Sequence, residues 1–336
     1  MTKCIVTGLG GRGRWWTQQV LQRRDVQIAA FVEPDATNRR LAIDQFALDE
    51  QAVHASLDDV PASVEVDFVF DITPPAVHHQ IAQQVFARGL HLVQEKPLSD
   101  DFDHARRTVE LGRDAGVRHM VTQNYRFHPC PRTTRRRLDE GLIGRPGQAD
   151  LRFYMNWADA PGSHYVTEPF MLINDMMVHH FDLLRYVLNA DPVSVQAITW
   201  NHPWSWLQGD SSHAIVFEYD DGLHATHVSV GCAVGQRTTY WGDWRIEGPG
   251  GTITWEHDRM WHTHLHRANE PVHREILPDS VPDQPVALVD EFLAAIRENR
   301  DPECCAADNL KSLAMVFAAI RSAKEKRRVP LAEFTD

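Results

Sequence analysis

The feature that most constrains the fold of this sequence is a regular alternation of short apolar runs with longer helical segments, from Lys3 to about Val121. Alternation of this kind is typical of parallel strands joined by right-handed helical crossovers. It predicts an N-terminal α/β domain with a doubly wound parallel sheet. The strands are predicted at Cys4–Thr7, Ile28–Val32, Val66–Ile72, His91–Gln94 and Val117–Thr122, and the helices at Trp15–Arg23, Val77–Arg88 and Phe102–Ala115.

The character of the sequence changes after Pro129, where apolar and polar residues begin to alternate over short segments. Such alternation predicts half-buried strands, and Asp220-Asp221-Gly222 is a hairpin signal. We expect a C-terminal α+β domain with a large, mainly antiparallel open sheet, and domain boundaries at 1–123 and 124–336. Strands are predicted at Ala149–Met155, Pro192–Thr199, Ser212–Tyr219, His224–Val230, Trp244–Glu247 and Gly251–Glu256, and helices near Arg132–Glu140, Val286–Arg300 and Asn309–Lys326.

Composition narrows the classes of partner. At 336 residues the chain exceeds the size at which one hydrophobic core usually stops growing, which agrees with two domains. A net charge of −12 would repel a phosphate backbone or an anionic lipid surface, so neither nucleic acid nor a membrane is an expected partner. No apolar run is long enough to span a bilayer, and the five cysteines form no pair with zinc-like spacing. We expect a cytoplasmic protein without a metal centre.

A glycine-rich turn follows the first predicted strand. Gly8-Leu9-Gly10-Gly11-Arg12-Gly13 has GxGxxG spacing and precedes a helix. These glycines permit a tight turn, close approach of a pyrophosphate to the backbone and close helix packing. Glu33, at the end of the second strand, can accept hydrogen bonds from ribose hydroxyls and would repel a 2′-phosphate. The pattern predicts NAD as cofactor, with NADP left possible by Arg12, Arg39 and Arg40.

Two more segments end strands of the same predicted sheet. Thr73-Pro74-Pro75 ends the third strand and is followed by His78, and Glu95-Lys96-Pro97 ends the fourth. Because proline stops a strand, these residues project from the carboxyl edge, where open α/β sheets bind ligands. A lysine before proline is restricted to extended or turn geometry, which would hold the Lys96 ammonium in one direction. On the tripeptide alone, a surface lysine closing a strand is the alternative.

In the second domain, the helical segment from Asn174 to Tyr186 combines carboxylates with imidazoles. On one helix, Asp175, His179 and Asp182 share a face because they are spaced i, i+4 and i+7. Histidine suits proton transfer near neutral pH, and an adjacent carboxylate can orient it. The alternative for this segment by itself is a capped amphipathic helix with a hydrogen-bonded histidine.

Taken in order, these motifs resemble the glucose-fructose oxidoreductase, inositol dehydrogenase and MocA (Gfo/Idh/MocA) family of NAD(P)-dependent enzymes. The resemblance spans nearly the whole chain and includes Tyr125-Arg126-Phe127 with Pro129. It implies an NAD(P)-binding Rossmann domain followed by a substrate-binding and oligomerisation domain. It also implies a dehydrogenase that acts on a CH–OH group.

The resemblance implies roles for individual residues. Lys96 resembles the active-site lysine, His179 the general acid/base, and Asp175 a carboxylate that orients the substrate or supports the histidine, whereas Asp182 resembles a structural residue. The implied reaction is hydride transfer between nicotinamide and a secondary alcohol of a sugar, inositol or derivative, with Lys96 and His179 gripping and deprotonating the hydroxyl. One departure concerns substrate placement: Met171-Leu172-Ile173-Asn174 stands where the family often has paired glycines.

The site residues fall into two groups. The candidate cofactor-binding residues are Gly8, Gly10, Gly11, Arg12, Gly13, Glu33, Thr73, Pro74, Pro75, His78, Glu95 and Lys96. The candidate substrate contacts are Asn124, Arg126, Trp157 and His180, of which Trp157 suits stacking on a sugar ring.

Two other functions are open to this scaffold. An NAD-dependent glycosidase or lyase would oxidise its sugar transiently, eliminate a substituent and re-reduce the product. A non-catalytic sensor would bind a sugar or nucleotide without reaction. The presence of Lys96, Asp175 and His179 favours an enzyme, because a sensor needs no proton relay.

Histidines and tryptophans form two further patterns. His262, His264 and His266 would share one face of a strand, as metal ligands or, in the preferred interpretation, as solvent-facing or interface histidines. Eight tryptophans lie in the second half of the chain: Trp157, Trp200, Trp204, Trp206, Trp241, Trp244, Trp255 and Trp261. An open aromatic sheet face is usually covered, and the resemblance implies a homo-oligomer, a dimer or tetramer, formed through the C-terminal sheet.

Overall fold

The structure is a computed structural model that describes residues 1–156, 164–266 and 270–335. The chain divides into two units. The first comprises Met1–Asn124 and Asp283–Leu310, and the second comprises Tyr125–Pro282 and Lys311–Asp336. Within the described ranges, no helix is both long enough and apolar enough to cross a membrane.

Six parallel strands form the sheet of the first unit. Its elements in chain order are β1 (Thr2–Thr7), α1 (Gly11–Leu21), β2 (Val26–Val32), α2 (Ala36–Phe46), β3 (Val53–His54), β4 (Phe68–Asp71), α3 (Pro75–Ala87), β5 (His91–Gln94), α4 (Phe102–Asp114) and β6 (His119–Val121). The strand order is β3-β2-β1-β4-β5-β6, and every pair is parallel. The order reverses between β1 and β4, so a ligand is expected at the carboxyl ends of these strands. The predicted doubly wound sheet is confirmed.

A buried carboxylate joins the carboxyl ends of three of these strands. Asp71 Oδ1 accepts hydrogen bonds from the Thr7 hydroxyl at 2.8 Å and from the Thr73 hydroxyl and N–H at 2.7 and 3.1 Å. Its Oδ2 accepts from the Gln94 amide at 3.0 Å. The side chain is completely buried, and these four donors are neutral, so converging dipoles stabilise the negative charge. The ends of β1, β4 and β5 are fixed to one another as a result.

The second unit contains a nine-stranded sheet. The chain continues through α5 (Pro129–Asp139), β7 (Gln148–Tyr154), α6 (Met171–Asp175), α7 (Met177–Leu188), β8 (Ser194–Trp200), β9 (Ser212–Glu218), β10 (His224–Val230), β11 (Asp243–Gly248), β12 (Gly251–Glu256), β13 (Arg259–His266), β14 (Glu270–Ile276), α8 (Gln284–Arg297), α9 (Ala306–Glu325), β15 (Val329–Pro330) and α10 (Ala332–Thr335). The strand order is β14-β13-β12-β11-β7-β10-β9-β8-β15. β7 and β10 are parallel, and the other neighbours are antiparallel. The predicted mainly antiparallel open sheet is confirmed.

Helix α7 lies in the core of the second unit. Ten of its twelve residues are buried, including charged ones, which is the pattern of a helix covered on all sides. Phe181 packs perpendicular to Phe217 of β9, with ring centroids 4.8 Å apart. The histidines of this helix therefore have positions fixed by packing.

The segment 283–310 belongs to the first unit, which differs from the predicted domain range 124–336. In α8, Phe292 packs edge-on against Phe68 of β4 at 5.3 Å, and Asp290 accepts from Arg23 at 2.6 Å. The apolar periodicity of α8 predicts a helix but does not say which core it joins. The residue pattern does not predict α2, because Ala42 is its one buried residue and no apolar stripe is present.

Replacement of Phe292 by alanine tests the assignment of α8 to the first core. We expect Phe292→Ala to lower the free energy of unfolding by about 3 to 5 kcal/mol, since a fully buried ring is removed. Val286→Ala on the same helix, where the side chain is exposed, should change it by less than about 0.5 kcal/mol. Chemical denaturation measures both values. Equal effects of the two substitutions would contradict the packing described.

Candidate active site

Four glycines shape the turn between β1 and α1 in two different ways. A Cβ on Gly8, whose φ is +84°, would lie 2.5 Å from the Ile72 carbonyl oxygen, and one on Gly13 would lie 1.9 Å from the Gly8 oxygen. At Gly10 and Gly11 no atom lies within 4 Å of an added Cβ. Packing thus requires glycine at positions 8 and 13. At Gly10 and Gly11, the absence of a side chain leaves the backbone open to a ligand. No side chain caps α1, so its first N–H groups suit an anion.

The Glu33 carboxylate lies beside this turn and is buried. Its Oε2 accepts from the Leu9 N–H at 2.7 Å and its Oε1 from the Asp35 N–H at 3.0 Å. A carboxylate has about four acceptor positions, so acceptor capacity for hydroxyl groups remains. The Arg39 guanidinium donates to the Glu33 and Pro34 carbonyls at 2.8 Å each.

An ion pair connects the glycine-rich turn to the end of β5. Arg12 Nε donates to Glu95 Oε1 at 2.9 Å, and the guanidinium lies 4.3 Å from the Trp15 ring centroid. Glu95 Oε2 also accepts from the Thr122 hydroxyl and from the Lys96 N–H, the latter at 3.2 Å. Glu95 is therefore engaged with protein groups, and its contact with a cofactor stays a prediction. It fixes the backbone from which the Lys96 side chain extends.

His78 connects two loops at the carboxyl edge of the first sheet. Its Nδ1 lies 2.9 Å from the Pro97 carbonyl oxygen and its Nε2 lies 2.8 Å from the Thr73 carbonyl oxygen. The ring is completely buried and links two loops, and its contact with a cofactor stays a prediction. Pro74 caps α3 and Pro75 is its first residue, and the Lys96–Pro97 peptide bond is cis.

In the second unit, Asp175 and His179 lie on two successive helices. Asp175 is the last residue of α6, Met176 separates the helices, and the His179 N–H bonds the Met176 carbonyl at 3.1 Å, three residues back. The prediction that one continuous helix carries both side chains is wrong, because this tighter i−3 contact interrupts the i−4 pattern. His179 is buried and Asp175 is partly exposed.

Two tyrosines that sequence reasoning did not select contact these side chains. The Tyr165 hydroxyl hydrogen-bonds the Asp175 carboxylate, and burial, together with the Asp175 charge, raises the pKa of Tyr165 to about 12. The Tyr125 ring stacks on the His179 imidazole with centroids 4.2 Å apart and planes 16° apart. Tyr125 lies in a motif already singled out, but spacing carried no signal for either contact.

Arg126 forms a buried ion pair with Asp182. Its Nε and Nη2 each donate to one carboxylate oxygen at 2.6 Å, and Asp182 Oδ1 also accepts from the Ser312 hydroxyl at 2.9 Å. The bidentate pair is buried within the second unit, and the contact of Arg126 with substrate stays a prediction. Arg126 anchors α7.

His180 begins a chain of three buried histidines. Its Nε2 donates to the Tyr240 carbonyl at 2.8 Å, so its Nδ1 is unprotonated and accepts from His227 Nε2 at 2.9 Å. His227 Nδ1 in turn accepts from His213 Nε2 at 2.9 Å. Burial lowers the pKa of His180 to about 4 and that of His213 to about 3, and it holds that of His227 well below its usual value. All three rings are neutral, and the contact of His180 with substrate stays a prediction.

The two remaining substrate candidates have different outcomes. The Asn124 amide nitrogen donates to Gln284 Oε1 at 2.6 Å within the first unit, which occupies the group expected to bind substrate. Trp157 lies outside the described residues.

The alternating histidines lie on β13, as expected of a strand, and differ in exposure. His262 is nearly buried, with its Nε2 3.3 Å from the Gly250 oxygen, His264 is half-buried and stacks on His262 at 5.2 Å, and His266 is exposed. Their exposure is graded along the strand, so the three rings do not share one environment.

Potential metal-ligand atoms of three side chains, among the residues that the structure describes, converge at His128, Cys130 and Asp258. His128 Nδ1 accepts from the Cys130 N–H, which leaves the ring proton on Nε2, and burial raises the pKa of the Cys130 thiol to about 12. His128 Nε2 lies 3.6 Å from Asp258 Oδ1, so the three side chains are close neighbours within the second unit.

Comparison with known proteins identifies both parts of the chain. Residues 2–123 match the model of an oxidoreductase family with an NAD-binding Rossmann fold, and residues 132–254 match the GFO/IDH/MocA C-terminal domain. The chain belongs to the Gfo/Idh/MocA family. The chain is therefore an NAD-binding oxidoreductase, and curated relatives similar to it are named as inositol dehydrogenases.

The similarity to individual relatives is long but distant. Inositol 2-dehydrogenase of Rhizobium meliloti is 26% identical over 82% of this chain and 84% of its own length. D-apiose dehydrogenase of Paraburkholderia graminis is 24% identical over 91% of this chain and 83% of its own. A solved oxidoreductase from Agrobacterium radiobacter, in complex with NAD+, L-tartaric acid and magnesium, matches with a TM-score of 0.88 at 21% identity over 99% of both chains.

The residues at the edge of the first sheet fit the NAD of this family. The open backbone at Gly10 and Gly11 accommodates a pyrophosphate, and the uncapped N-terminus of α1 supplies donors for it. Glu33 retains acceptor capacity for ribose hydroxyls. The acidic residue at this position accords with NAD as the cofactor of the family.

The two kinds of glycine give a matched test of this arrangement. Gly10→Ala should leave thermal stability nearly unchanged, since φ is −60° and the space is open, yet weaken NAD binding about 10-fold or more by obstructing a pyrophosphate. Gly13→Ala should destabilise the protein by about 2 kcal/mol or more through overpacking. Calorimetry for binding and thermal unfolding for stability separate the effects. Unchanged NAD affinity in Gly10→Ala would show that the pyrophosphate lies elsewhere.

Proposed function

We propose that this protein is an NAD-dependent dehydrogenase that transfers a hydride between nicotinamide and a secondary alcohol of a sugar, inositol or derivative. The observation that carries this proposal is the link between the glycine-rich turn and Lys96. Through Arg12 and Glu95, the turn that suits the pyrophosphate is joined to the residue that precedes Lys96. Lys96 thus belongs to the same rigid edge as the cofactor-binding groups.

The class of substrate is supported by the relatives. Relatives with similarity over most of their length include ones named for inositol and for D-apiose, and a structural neighbour is a levoglucosan dehydrogenase with NADH and levoglucosan, matched with a TM-score of 0.82. All three compounds carry secondary hydroxyls on a ring. We therefore assign a cyclic polyol or sugar to this protein.

In the proposed reaction, His179 accepts the proton of the substrate hydroxyl and the Lys96 ammonium donates a hydrogen bond to the same oxygen. The lysine stabilises the negative charge that develops on the substrate oxygen, and the histidine removes the proton of the substrate hydroxyl. The bound nicotinamide supplies a two-electron acceptor for the hydride of the carbinol carbon. In the reverse direction His179 returns the proton. Asp175, held by Tyr165, orients the substrate or the imidazole.

Substitution of Lys96 and His179 tests these roles. We expect Lys96→Ala and His179→Ala each to lower kcat/KM about 100-fold or more, because each removes a group that acts on the reacting oxygen. The double variant should be little worse than the poorer single variant, since the two act as a unit. NADH formation at 340 nm on a panel of sugars and inositols, with NAD and NADP, gives the rates.

Matched controls come from the surface of the same chain. Lys311→Ala, which loses an exposed pair with Asp191, and His224→Ala at an exposed position should keep wild-type rates. Full activity in both Lys96→Ala and His179→Ala would refute the assignment. Product release without net NADH formation, from protein that retains bound nucleotide, would replace net oxidation by the redox-neutral lyase or glycosidase reaction.

The outer face of the nine-stranded sheet supports the proposal that the protein forms a homo-oligomer. Ile198 of β8 is 62% exposed and Val216 of β9 is 39% exposed, and both side chains point away from the buried core of the sheet. Ala214, which pairs with Ile198 in the sheet, lies on the same face. Apolar groups on an open sheet are commonly covered by a second copy.

A charge on this face should disrupt the proposed oligomer. We expect Ile198→Glu to shift the mass measured by light scattering from a multiple of 38.3 kDa toward that of one chain, because burying the carboxylate at an apolar contact is unfavourable. Leu111→Glu, which places the same charge at an exposed apolar position on α4 of the first unit, is the control. A wild-type protein that already has the mass of one chain would contradict the proposal.

A further inference from the structure

The imidazole of His179 is covered on one face by the ring of Tyr125. The centroids are 4.2 Å apart and the planes are 16° from parallel, so the two rings overlap face to face. Both residues belong to the second unit, and both are buried. The stack fixes the plane of the imidazole and therefore the directions of its two ring nitrogens.

Tyr125 is itself held from a second side. The Trp241 ring lies perpendicular to it at 6.2 Å. The Trp241 N–H donates to Asp258 Oδ1 at 2.6 Å, and the His128 ring stacks on the indole at 3.7 Å. Trp241 is thus fixed by a hydrogen bond and by stacking, and Tyr125 is enclosed between Trp241 and His179.

The same segment supports the neighbouring histidine. His180 Nε2 donates to the carbonyl of Tyr240, the residue before Trp241. The segment Tyr240-Trp241 therefore contacts His180 through its backbone and reaches His179 through Tyr125. Relative movement of the two histidines is restricted from one side of the helix.

We propose that Tyr125 is a positioning residue whose ring face holds the His179 imidazole in place and stabilises the imidazolium that forms when His179 takes the substrate proton. An aromatic face carries partial negative charge and attracts a cation placed over it, most strongly where water is excluded. The neutral imidazole gains less from this face than the cation does, so the contact favours the charged product of proton transfer. This inference rests on the proposed role of His179.

Among the residues that the structure describes, the charged and titratable groups near the helix have partners of their own. Asp182 is bound by Arg126, Asp175 is bound by Tyr165, and the rings of His180 and His227 are neutral. From α5, Arg132 lies over the Tyr186 ring and Arg135 donates to the Tyr186 carbonyl, about two helical turns beyond His179. Asp258 accepts a hydrogen bond from the Trp241 N–H. In the proposed reaction, the Lys96 ammonium binds the same substrate oxygen as His179.

Three variants distinguish the effect of the Tyr125 ring face from the effect of its hydroxyl group and from that of losing a packed tyrosine in general. Tyr125→Phe keeps the face and should retain the pH profile of the wild type. Tyr125→Leu removes it, and the kcat for alcohol oxidation should fall about 5- to 10-fold. Tyr186→Leu is the matched control, because it removes a tyrosine of α7 whose ring faces Arg126 and Arg132 instead of a histidine.

The pH profile distinguishes stabilisation of the imidazolium from a structural effect. The acid limb of kcat/KM reports protonation of His179, and without the aromatic face the cation is less stable. In Tyr125→Leu this limb should therefore move about 0.5 to 1 pH unit toward lower pH, and it should stay in place in Tyr125→Phe and Tyr186→Leu. A loss of rate in Tyr125→Leu with an unmoved limb would reduce Tyr125 to a packing residue.

Titration of His179 by NMR tests the stack without any substrate. The His179 ring signals are assigned by their loss in His179→Gln. The pH at the midpoint of their titration should fall in Tyr125→Leu but not in Tyr125→Phe. Equal shifts in Tyr125→Phe would assign the effect to the hydroxyl, and equal shifts in Tyr186→Leu would make it unspecific, so either result overturns the proposal. Absence of dehydrogenase activity together with the expected NMR shifts would refute the proposed function while leaving the stack intact.

Discussion

The buried carboxylate of Asp71 is the interaction on which the first unit most depends. A charge without solvent is unfavourable unless donors converge on it, and hydrogen bonds to charged groups each contribute about 1.5 to 3 kcal/mol. Here the donors come from β1, from the loop after β4 and from β5. Because these are the strands whose ends carry the glycine-rich turn, Thr73-Pro74-Pro75 and Glu95-Lys96-Pro97, one carboxylate sets the mutual positions of all three motifs.

The same edge shows how polar groups are divided between support and chemistry. Glu95 joins Arg12 to Thr122, and His78 joins the Thr73 carbonyl to that of Pro97. These side chains are engaged with the protein itself, and they hold the loops that border the open backbone at Gly10. Preorganisation of this kind places a reacting group without loss of freedom at the moment of reaction.

The sequence was sufficient for the sheet topology and for the glycine-rich turn, because both depend on local periodicity and on backbone geometry. It was insufficient where a side chain finds its partner far along the chain. Arg126 and His180 looked like substrate contacts beside a motif, yet Arg126 pairs with Asp182, 56 positions away, and His180 with His227, 47 positions away. For the same reason α8 could be recognised as a helix but not assigned to the first core, and the stacking of Tyr125 on His179 gave no signal in the spacing.

Adjacent histidines on one helix illustrate how environment selects the group that can take a proton. His180 donates to a carbonyl and accepts from His227 in a chain of neutral rings, so a further proton would have no acceptor and would break a buried hydrogen bond. Burial accordingly lowers the pKa of His180 to about 4. His179 has an aromatic face instead, which is compatible with a positive charge. In the proposed function, these two identical side chains differ in role because His180 is surrounded by groups that require neutrality and His179 by a ring that favours the cation.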